Sequence, residues 1–421
     1  MKKTPKLIHN IVALGSVQVV GFLLPLFTLP YVTRVLGVEG WGRVALVQIV
    51  LGYFGLVVNW GFGLSGTHKI ASARDDIQKI SLIFMASWSA QWLLALAAVL
   101  LLVFLIKFVP FFYSNSLFYS YGLGVIVSNV LFPVWFLTGL EQMKQVATIQ
   151  ISSRLITLPL TFIFIQSQAD APLIIAINAT GGILGGIFTV IWIKRNLSLV
   201  WKIPSWSQIM TELKEGGVIF GSTVWISLYT SLTPTILGIV GGPVAVGYYA
   251  FADRVRQLAQ SALSPISQAL FPRFSHLFQN NDAHARQLLK KTAKLIVFIS
   301  AMASLFIWLL AEYIVIILAG EDFRPAIQVL RWLAPLPFVI SLSNIFGIQI
   351  MLPNNKTKAF NRILGMAGAL TLCMIYPLIL WNQAEGASIN TLITECFVTL
   401  AMGAYLWKSG FFEQSKNWRK L

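Results

Sequence analysis

The chain has 421 residues, of which 57% are hydrophobic and only 11% are charged, and its mean hydropathy is +0.75. This composition excludes a water-soluble globular protein, because its repeated apolar runs approach the ~20 residues that cross a bilayer. The formal net charge is +16. We attribute this basic excess to membrane topology and contact with anionic lipid headgroups, rather than to nucleic-acid binding.

The apolar runs predict an all-α, polytopic membrane protein with twelve transmembrane helices. The first six predicted spans cover residues 8–35, 44–64, 81–108, 117–140, 146–166 and 173–193. The second six cover residues 216–241, 247–271, 294–318, 326–352, 363–381 and 386–407. The first span is too long for the apolar core of a cleavable signal peptide, so we expect it to remain in the mature protein.

Lysine and arginine residues are concentrated on one side of the predicted spans. They lie at the N-terminus, in the loops after the even-numbered spans and in the C-terminal tail. The other side carries few: Arg34, Arg43, Lys107 and Arg324. Because short basic loops stay in the cytoplasm, both termini are predicted to be cytoplasmic.

An internal repeat divides the chain into two halves. The repeated positions are offset by 205 or 206 residues: Gly15-Ser16 and Gly221-Ser222, Gly42 and Gly247, Ala45 and Ala250, Asp76 and Asp282. Each half has six predicted spans, an even number, so the halves are predicted to be parallel repeats about an axis along the membrane normal. The expected lobes are residues 1–203 and 204–421.

Polar and small residues follow one face of the second predicted helix, at a spacing of four, three and four: Gln48, Gly52, Gly55 and Asn59. The repeat offset converts this stripe into its counterpart in the eighth span: Asp253, Gln257, Gln260 and Ser264. The first and seventh spans carry similar faces: Gln18, Gly21, Pro25 and Thr28, and Val224, Ser227, Ser231 and Pro234. Such stripes fit either close helix packing or the lining of a polar cavity.

Three charges fall within the eighth predicted span, at Asp253, Arg254 and Arg256. A charge at mid-membrane costs ~2.5–3.5 kcal/mol on insertion scales and faces a cavity or a partner. Asp253 could neutralise one arginine in a structural ion pair, which would leave the other arginine. Because the arginine fork matches neighbouring phosphate oxygens, these residues indicate an anionic, amphiphilic substrate.

Further charges within predicted spans include Arg154, Arg331 and Glu395. Arg154 in the fifth span either adds to a cationic cavity lining or is accounted for by a local ion pair or by snorkelling to the interface. Arg331 lies near the outer end of the tenth span, where snorkelling is expected. Glu395 in the twelfth span is a candidate partner for Arg154 or a proton site.

The run from Pro133 to Lys144 resembles the Trp-Phe-x-x-Gly-Leu-Glu-x-Met segment of bacterial polysaccharide flippases of the Wzx type. The opening region from Leu24 to Gly42 is similar to their first helix, and the resemblance extends to Gly247-Tyr248-Tyr249 and to the segment that starts at Gly320. These flippases belong to a superfamily that also includes MATE exporters and the lipid II flippase. The resemblance covers almost the whole chain.

This resemblance implies two six-helix lobes in a V that alternate between inward-open and outward-open states around a central cavity lined by helices one, two, seven and eight. The implied substrate is an oligosaccharide repeat unit on undecaprenyl pyrophosphate, moved across the bacterial inner membrane to the periplasmic leaflet. A polysaccharide polymerase or chain-length regulator is an expected partner besides the bilayer. The implied substrate-binding residues are Arg254, Arg256, Asp253, Gln257, Gln260, Gln48 and Asn59, with Arg154 and Arg34 as further candidates. Protonation of Asp253 is a further hypothesis, in which it is coupled to the conformational cycle of transport.

Two other functions stay open at this point. A MATE-like exporter of organic cations would need an acidic cavity, whereas these spans carry more arginine than acid. A membrane polysaccharide polymerase or ligase would need a sizeable outer loop with catalytic groups, and the predicted outer loops are short. The four histidines and two cysteines show no metal-ligand spacing, and no ATP-binding motif is present, so we expect a transporter without cofactors.

Overall fold

The computed structural model describes residues 4–74, 76–261, 274 and 282–411. All regular secondary structure within these ranges is helical, as the apolar periodicity predicts. The α-helices of the first half are α1 (Thr4–Asn59), α2 (Phe62–Ser72), α3 (Ile77–Phe108), α4 (Pro110–Tyr113), α5 (Ser116–Leu131), α6 (Val134–Gly139), α7 (Met143–Phe164) and α8 (Ala171–Asn196). Those of the second half are α9 (Trp206–Val240), α10 (Gly242–Ser261), α11 (Asp282–Ala319), α12 (Ala326–Leu333), α13 (Leu336–Asn344) and α14 (Thr357–Lys408).

Two of these helices each contain two predicted spans. Within α1, Gly37 has φ 64° and ψ −176°, which interrupts the helix between the first and second predicted spans. Glycine suits this position because it adopts positive φ without steric cost. Within α14, Asn382 and Gln383 leave helical geometry between the last two predicted spans. The sequence periodicity therefore predicts the spans, and the backbone breaks at Gly37 and at Asn382–Gln383 divide each long helix into two of them.

The chain is a multi-pass membrane protein. Within the described residues, eight helical segments are long and apolar enough to cross a bilayer. Two of them, Phe27–Ser72 with 46 residues and Thr357–Lys408 with 52, are long enough for two crossings each. The tenth predicted span is built from α12, α13 and a seven-residue π-helix, Ile345–Met351. Residues 262–271 of the eighth predicted span lie outside the described part.

The chain forms two compact units, Met1–Val224 and Trp225–Leu421. The core of the first unit includes one cluster with Leu36, Val47 and Val130 and a second, aromatic-rich cluster with Phe84 and Phe136. The core of the second unit is a cluster of apolar side chains from several of its helices: Phe274, Leu289, Ile296, Ile345, Ile350, Met351, Ile363, Val398 and Met402. The lobe boundary expected between residues 203 and 204 stays a prediction, because the first unit also includes the start of α9.

Polar contacts explain why the start of α9 belongs to the first unit. Lys69 on α2 forms ion pairs with Glu212, at 2.8 Å, and with Glu215, at 2.7 Å. The indole of Trp60 donates a hydrogen bond to the carbonyl of Leu213 at 2.7 Å. These contacts hold the first turns of α9 against α2 and the end of α1.

Candidate functional site

Helix α10 presents a charged face within the second unit. Its buried face carries Val246, Tyr249, Ala252 and Val255 and packs against α12, α13, α14 and α11. The phenol of Tyr249 makes a hydrogen bond of 3.1 Å with the hydroxyl of Thr391 on α14. This packing fixes the rotation of α10, so that the charged residues lie on its remaining surface.

Four predicted site residues on α10 form one hydrogen-bonded network. Arg256 donates from Nε to Oδ1 of Asp253 at 2.7 Å and from Nη1 to Oε1 of Gln260 at 2.6 Å. Gln257 donates from Nε2 to the other carboxylate oxygen of Asp253 at 2.7 Å. The spacing of three and four residues makes these contacts local to the helix. Ser264, the last residue of the predicted stripe, lies outside the described residues.

The two arginines of α10 have different environments. The Arg256 side chain is 13% exposed and pairs with Asp253, as the ion-pair interpretation of the sequence proposed. Arg254 is exposed. Since the two residues are two positions apart, they point about 200° from each other around the helix. Arg256 is therefore a cation of the hydrogen-bonded network, whereas Arg254 lies exposed on the other side of the helix.

Helix α14 packs against α10 and carries further polar residues, among them Glu395. Asn390 is buried and donates to the hydroxyl of Thr233 at 3.3 Å. The sequence analysis singled out Glu395 but missed Asn390 and Thr391. Their polar character within an otherwise apolar span was the available signal.

The predicted stripe of the second span lies on an open face of α1. Gln48, Gly52 and Asn59 are exposed, and a Cβ at Gly52 would meet no neighbouring atom within 4 Å. The Asn59 amide donates to the carbonyl of Gly55 at 2.9 Å. Gly55 is buried against Asn129 of α5. The stripe is thus divided between one packing residue and three that are available to a ligand.

The remaining candidates, Arg154 and Arg34, are both exposed and lie in the first unit. The guanidinium of Arg154 on α7 contacts α1 at Gly21, a residue of the predicted first-span stripe. The side chains of Gln18 and Pro25, from the same stripe, lie outside the described part. Within the described ranges, no group of three or more His, Cys, Asp or Glu residues could hold a metal ion.

The Trp-Phe segment that carries the sequence resemblance is part of the core of the first unit. Trp135 and Phe136 are buried. The Trp135 indole donates to Oε1 of Gln91 at 3.0 Å, and its backbone carbonyl accepts from the Thr67 hydroxyl at 3.0 Å. A Cβ at Gly66 would lie 2.6 Å from the Trp135 ring. This motif therefore holds α2, α3 and α6 together and does not itself form a ligand site.

Comparison with known proteins supports the resemblance found in the sequence. A family model described as polysaccharide biosynthesis protein matches residues 7–278. A "Putative O-antigen transporter" of Escherichia coli (strain K12) is 35% identical over 394 residues, which are 94% of this chain and 95% of the relative. A protein of the same name from Shigella dysenteriae is 29% identical over 395 residues, 93% of this chain and 98% of the relative.

Solved structures share the fold. An inward-facing MATE family transporter of the MOP superfamily superposes with a TM-score of 0.73 at 15% identity, covering 94% of this chain and 96% of the transporter. The lipid II flippase MurJ, in an inward closed conformation, also has a TM-score of 0.73 at 15% identity, covering 96% of this chain and 87% of MurJ. At such low identity these similarities establish the polytopic helical fold alone.

Proposed function

Because the chain belongs to the polysaccharide biosynthesis protein family, we propose that it is a flippase for an oligosaccharide repeat unit linked to undecaprenyl pyrophosphate. It would move this substrate from the cytoplasmic to the periplasmic leaflet of the bacterial inner membrane by alternating access. The names of the two relatives support transport of O-antigen or a related polysaccharide unit. They also support a function that is not enzymatic.

The three charges of α10 are the observation that carries this proposal. Asp253, Arg254 and Arg256 lie in a helix of a membrane protein, where each charge costs ~2.5–3.5 kcal/mol at the bilayer centre. The ion pair between Asp253 and Arg256 offsets part of this cost. Arg254 is exposed on the other side of the helix, and its planar fork suits two phosphate oxygens at once. Arg254 is therefore our candidate for the pyrophosphate contact.

Exposed amide groups in each unit suit the sugar part of the substrate. Gln257 is exposed on α10, and Gln48 and Asn59 are exposed on α1. Each amide offers both a donor and an acceptor, which matches the hydroxyl groups of a sugar. Gln260 already accepts from Arg256, so its role is to position that guanidinium. Arg34 stays a weaker candidate for the anionic part.

The orientation and partners follow from the charge distribution and the substrate. Both termini would lie in the cytoplasm, because basic residues concentrate on that side of the predicted spans. A flipped repeat unit must next be joined to others, so a polysaccharide polymerase or chain-length regulator would act on the same lipid-linked product. The bilayer itself would hold the polyprenyl tail.

The experiment is complementation of a strain that lacks the native protein, with surface polysaccharide measured at matched protein levels. Hydrogen bonds to charged groups contribute ~1.5–3 kcal/mol, so Arg254→Ala should lower display roughly tenfold or more. Arg254→Lys keeps the charge but loses the fork and should be intermediate. Arg324→Ala is the matched control, because this arginine pairs with Glu321 on an exposed turn. Wild-type display by Arg254→Ala would refute a phosphate role for Arg254, and absence of complementation by the wild-type chain would refute the flippase.

Export of organic cations is the competing function within the same fold. It would require carboxylates that attract a cation, but Asp253 already accepts from Arg256 and from Gln257. A chain that fails to restore polysaccharide yet lowers the accumulation of a cationic dye would favour the exporter. Polysaccharide display without dye efflux would favour the flippase.

A further inference from the structure

A cleft of about 470 Å³ lies in the first unit, between the start of α3 and the segment that leads into α9. One wall is a single face of the first turns of α3, and the other is the connecting segment with the first turn of α9. The lining residues are Gln78, Ser81, Leu82, Met85, Val200, Lys202, Ile203, Pro204, Ser205 and Gln208. None of these lining residues is a substrate-binding candidate named above, so the cleft is a separate feature of the first unit.

Two contacts hold the connecting segment, residues 197–205, against α3. The backbone amide of Val200 donates a hydrogen bond to the hydroxyl oxygen of Ser81 at 3.0 Å. The ring of Trp201 packs edge-on against the ring of Phe84, with 6.1 Å between the ring centroids. Both contacts lie beside the cleft in sequence and join its two walls. The cleft is therefore built into the packing of the first unit.

The length of α3 places this cleft at the edge of the bilayer. Helix α3 has 32 residues and is one of the segments apolar enough to cross the membrane. At 1.5 Å per residue it is ~48 Å long, which exceeds a hydrocarbon core of ~30 Å by ~18 Å. A centred α3 therefore has about six residues at each end in the headgroup layer. Gln78 and Ser81 then lie at the depth of the headgroups, and Met85 lies in the hydrocarbon.

The lining of the cleft combines a cation with apolar side chains. Lys202 is exposed, and the sequence from Ala171 to Thr211 contains no acidic residue. Leu82 and Ile203 are 49% and 89% exposed, so both offer apolar surface to a neighbouring molecule. A soluble anion would leave this apolar surface uncovered, and an uncharged lipid would bring no charge to Lys202. A lipid with an anionic headgroup matches both parts of the lining.

We propose that this cleft binds an anionic phospholipid, with the headgroup phosphate at Lys202 and an acyl chain along Leu82 and Met85. The proposed orientation places the cleft at the cytoplasmic leaflet, where anionic lipids attract basic groups. Trp206 follows the cleft at the start of α9 and is exposed, as is typical of tryptophan at the membrane interface. The bound lipid anchors the segment that joins the two halves of the chain. This inference goes beyond the flippase function, because it involves neither the substrate nor α10.

Photolabelling of the purified full-length protein in detergent micelles tests this inference. The probe is a phosphatidylglycerol with a diazirine in one acyl chain, and mass spectrometry locates the labelled residues. We expect saturable labelling of residues 78–85 and 200–208, which unlabelled phosphatidylglycerol displaces and phosphatidylcholine does not. Lys202→Ala should weaken the affinity for phosphatidylglycerol about fivefold, the contribution of one lysine beside an anionic lipid surface. Leu82→Trp keeps the charge but fills the cleft, so it should abolish the labelling.

Lys291→Ala is the matched control, because it removes an exposed lysine from α11 and leaves the lining of the cleft unchanged. Weaker binding by Lys202→Ala with wild-type binding by Lys291→Ala supports the inference. An equal loss in the two variants shows a diffuse attraction to positive charge and overturns it. Equal displacement of the probe by phosphatidylcholine, or by soluble glycerol 3-phosphate, overturns the anionic lipid as the occupant. Lys202→Ala decides the question even where Leu82→Trp fails to fold, since removing an exposed lysine should leave the melting temperature unchanged.

Discussion

Glu212→Gln should destabilise the first unit by removing the charge at the centre of the ion cluster that holds α9. The Glu212 side chain is only 10% exposed. One carboxylate oxygen accepts from Lys69 at 2.8 Å and the other from the Ser87 hydroxyl at 3.0 Å. The substitution keeps the size of the side chain but places a neutral amide between these two donors.

The size of the effect follows from the remaining partners. Removing one member of a buried ion pair costs ~3–5 kcal/mol when the other charge is left alone. Lys69 keeps Glu215 at 2.7 Å, and the amide oxygen of glutamine can still accept one hydrogen bond, so we expect a loss of ~2–3 kcal/mol. The Glu215 side chain is 52% exposed. Glu215→Gln should therefore cost at most ~1 kcal/mol, since solvent screens such pairs.

Thermal unfolding of the purified protein in detergent measures this difference. In a domain of 150–250 residues, 1 kcal/mol shifts the melting temperature by ~2–4 °C, so Glu212→Gln should lower it by roughly 4–12 °C and Glu215→Gln by ~4 °C or less. Combining Glu212→Leu with Lys69→Met should recover much of the loss, because apolar side chains can replace a buried ion pair. Equal small shifts for Glu212→Gln and Glu215→Gln would refute the assignment of Glu212 as the central residue.

Three further predictions concern α10 and the end of α1. Arg256→Ala leaves the Asp253 carboxylate without its cation, so we expect a loss of ~3–5 kcal/mol in a melting assay, in contrast to a small change for Arg324→Ala on an exposed turn. Asp253→Asn should alter the pH dependence of polysaccharide transport if protonation of this carboxylate drives the cycle, and an unchanged pH profile would remove that hypothesis. Gly61→Ala should lower the melting temperature, because Gly61 has φ 80° and its Cβ would lie 2.7 Å from a backbone oxygen; Gly63→Ala, which meets no atom within 4 Å, is the control.

The helical architecture was accessible from the sequence because bilayer thickness sets the length of each apolar run. The predicted span 8–35 and residues 44–59 of the second span lie in α1, and their separation at Gly37 falls at a Leu-Gly pair in the sequence. The break at Asn382 and Gln383 was placed correctly between two spans. The docking of α9 on the first unit was not predicted, because the partners Lys69 and Glu212 are far apart in the chain and carry no local pattern.

The candidate site was accessible only in part. Helical spacing predicted that Asp253, Gln257 and Gln260 share a face of α10, and they do lie in one network. Spacing also allowed the ion pair with Arg256, since residues three apart are neighbours on a helix. Which groups Glu395 meets depends on how α14 packs against α10. Such packing is set by side chains distant in sequence, so the sequence left several partners open for Glu395.

Three arginines within predicted spans thus carry the same charge but have different surroundings. The charge of Arg256 is neutralised by Asp253 within the protein, and its two hydrogen bonds hold the polar face of α10 in one arrangement. Arg254 is exposed on the opposite flank of that helix, and Arg154 is exposed where Gly21 leaves space for it. A cation retained in a membrane protein's helix despite its insertion cost serves either an ion pair or a ligand. Arg256 has its ion pair, so their exposure makes Arg254 and Arg154 the arginines to test for a ligand.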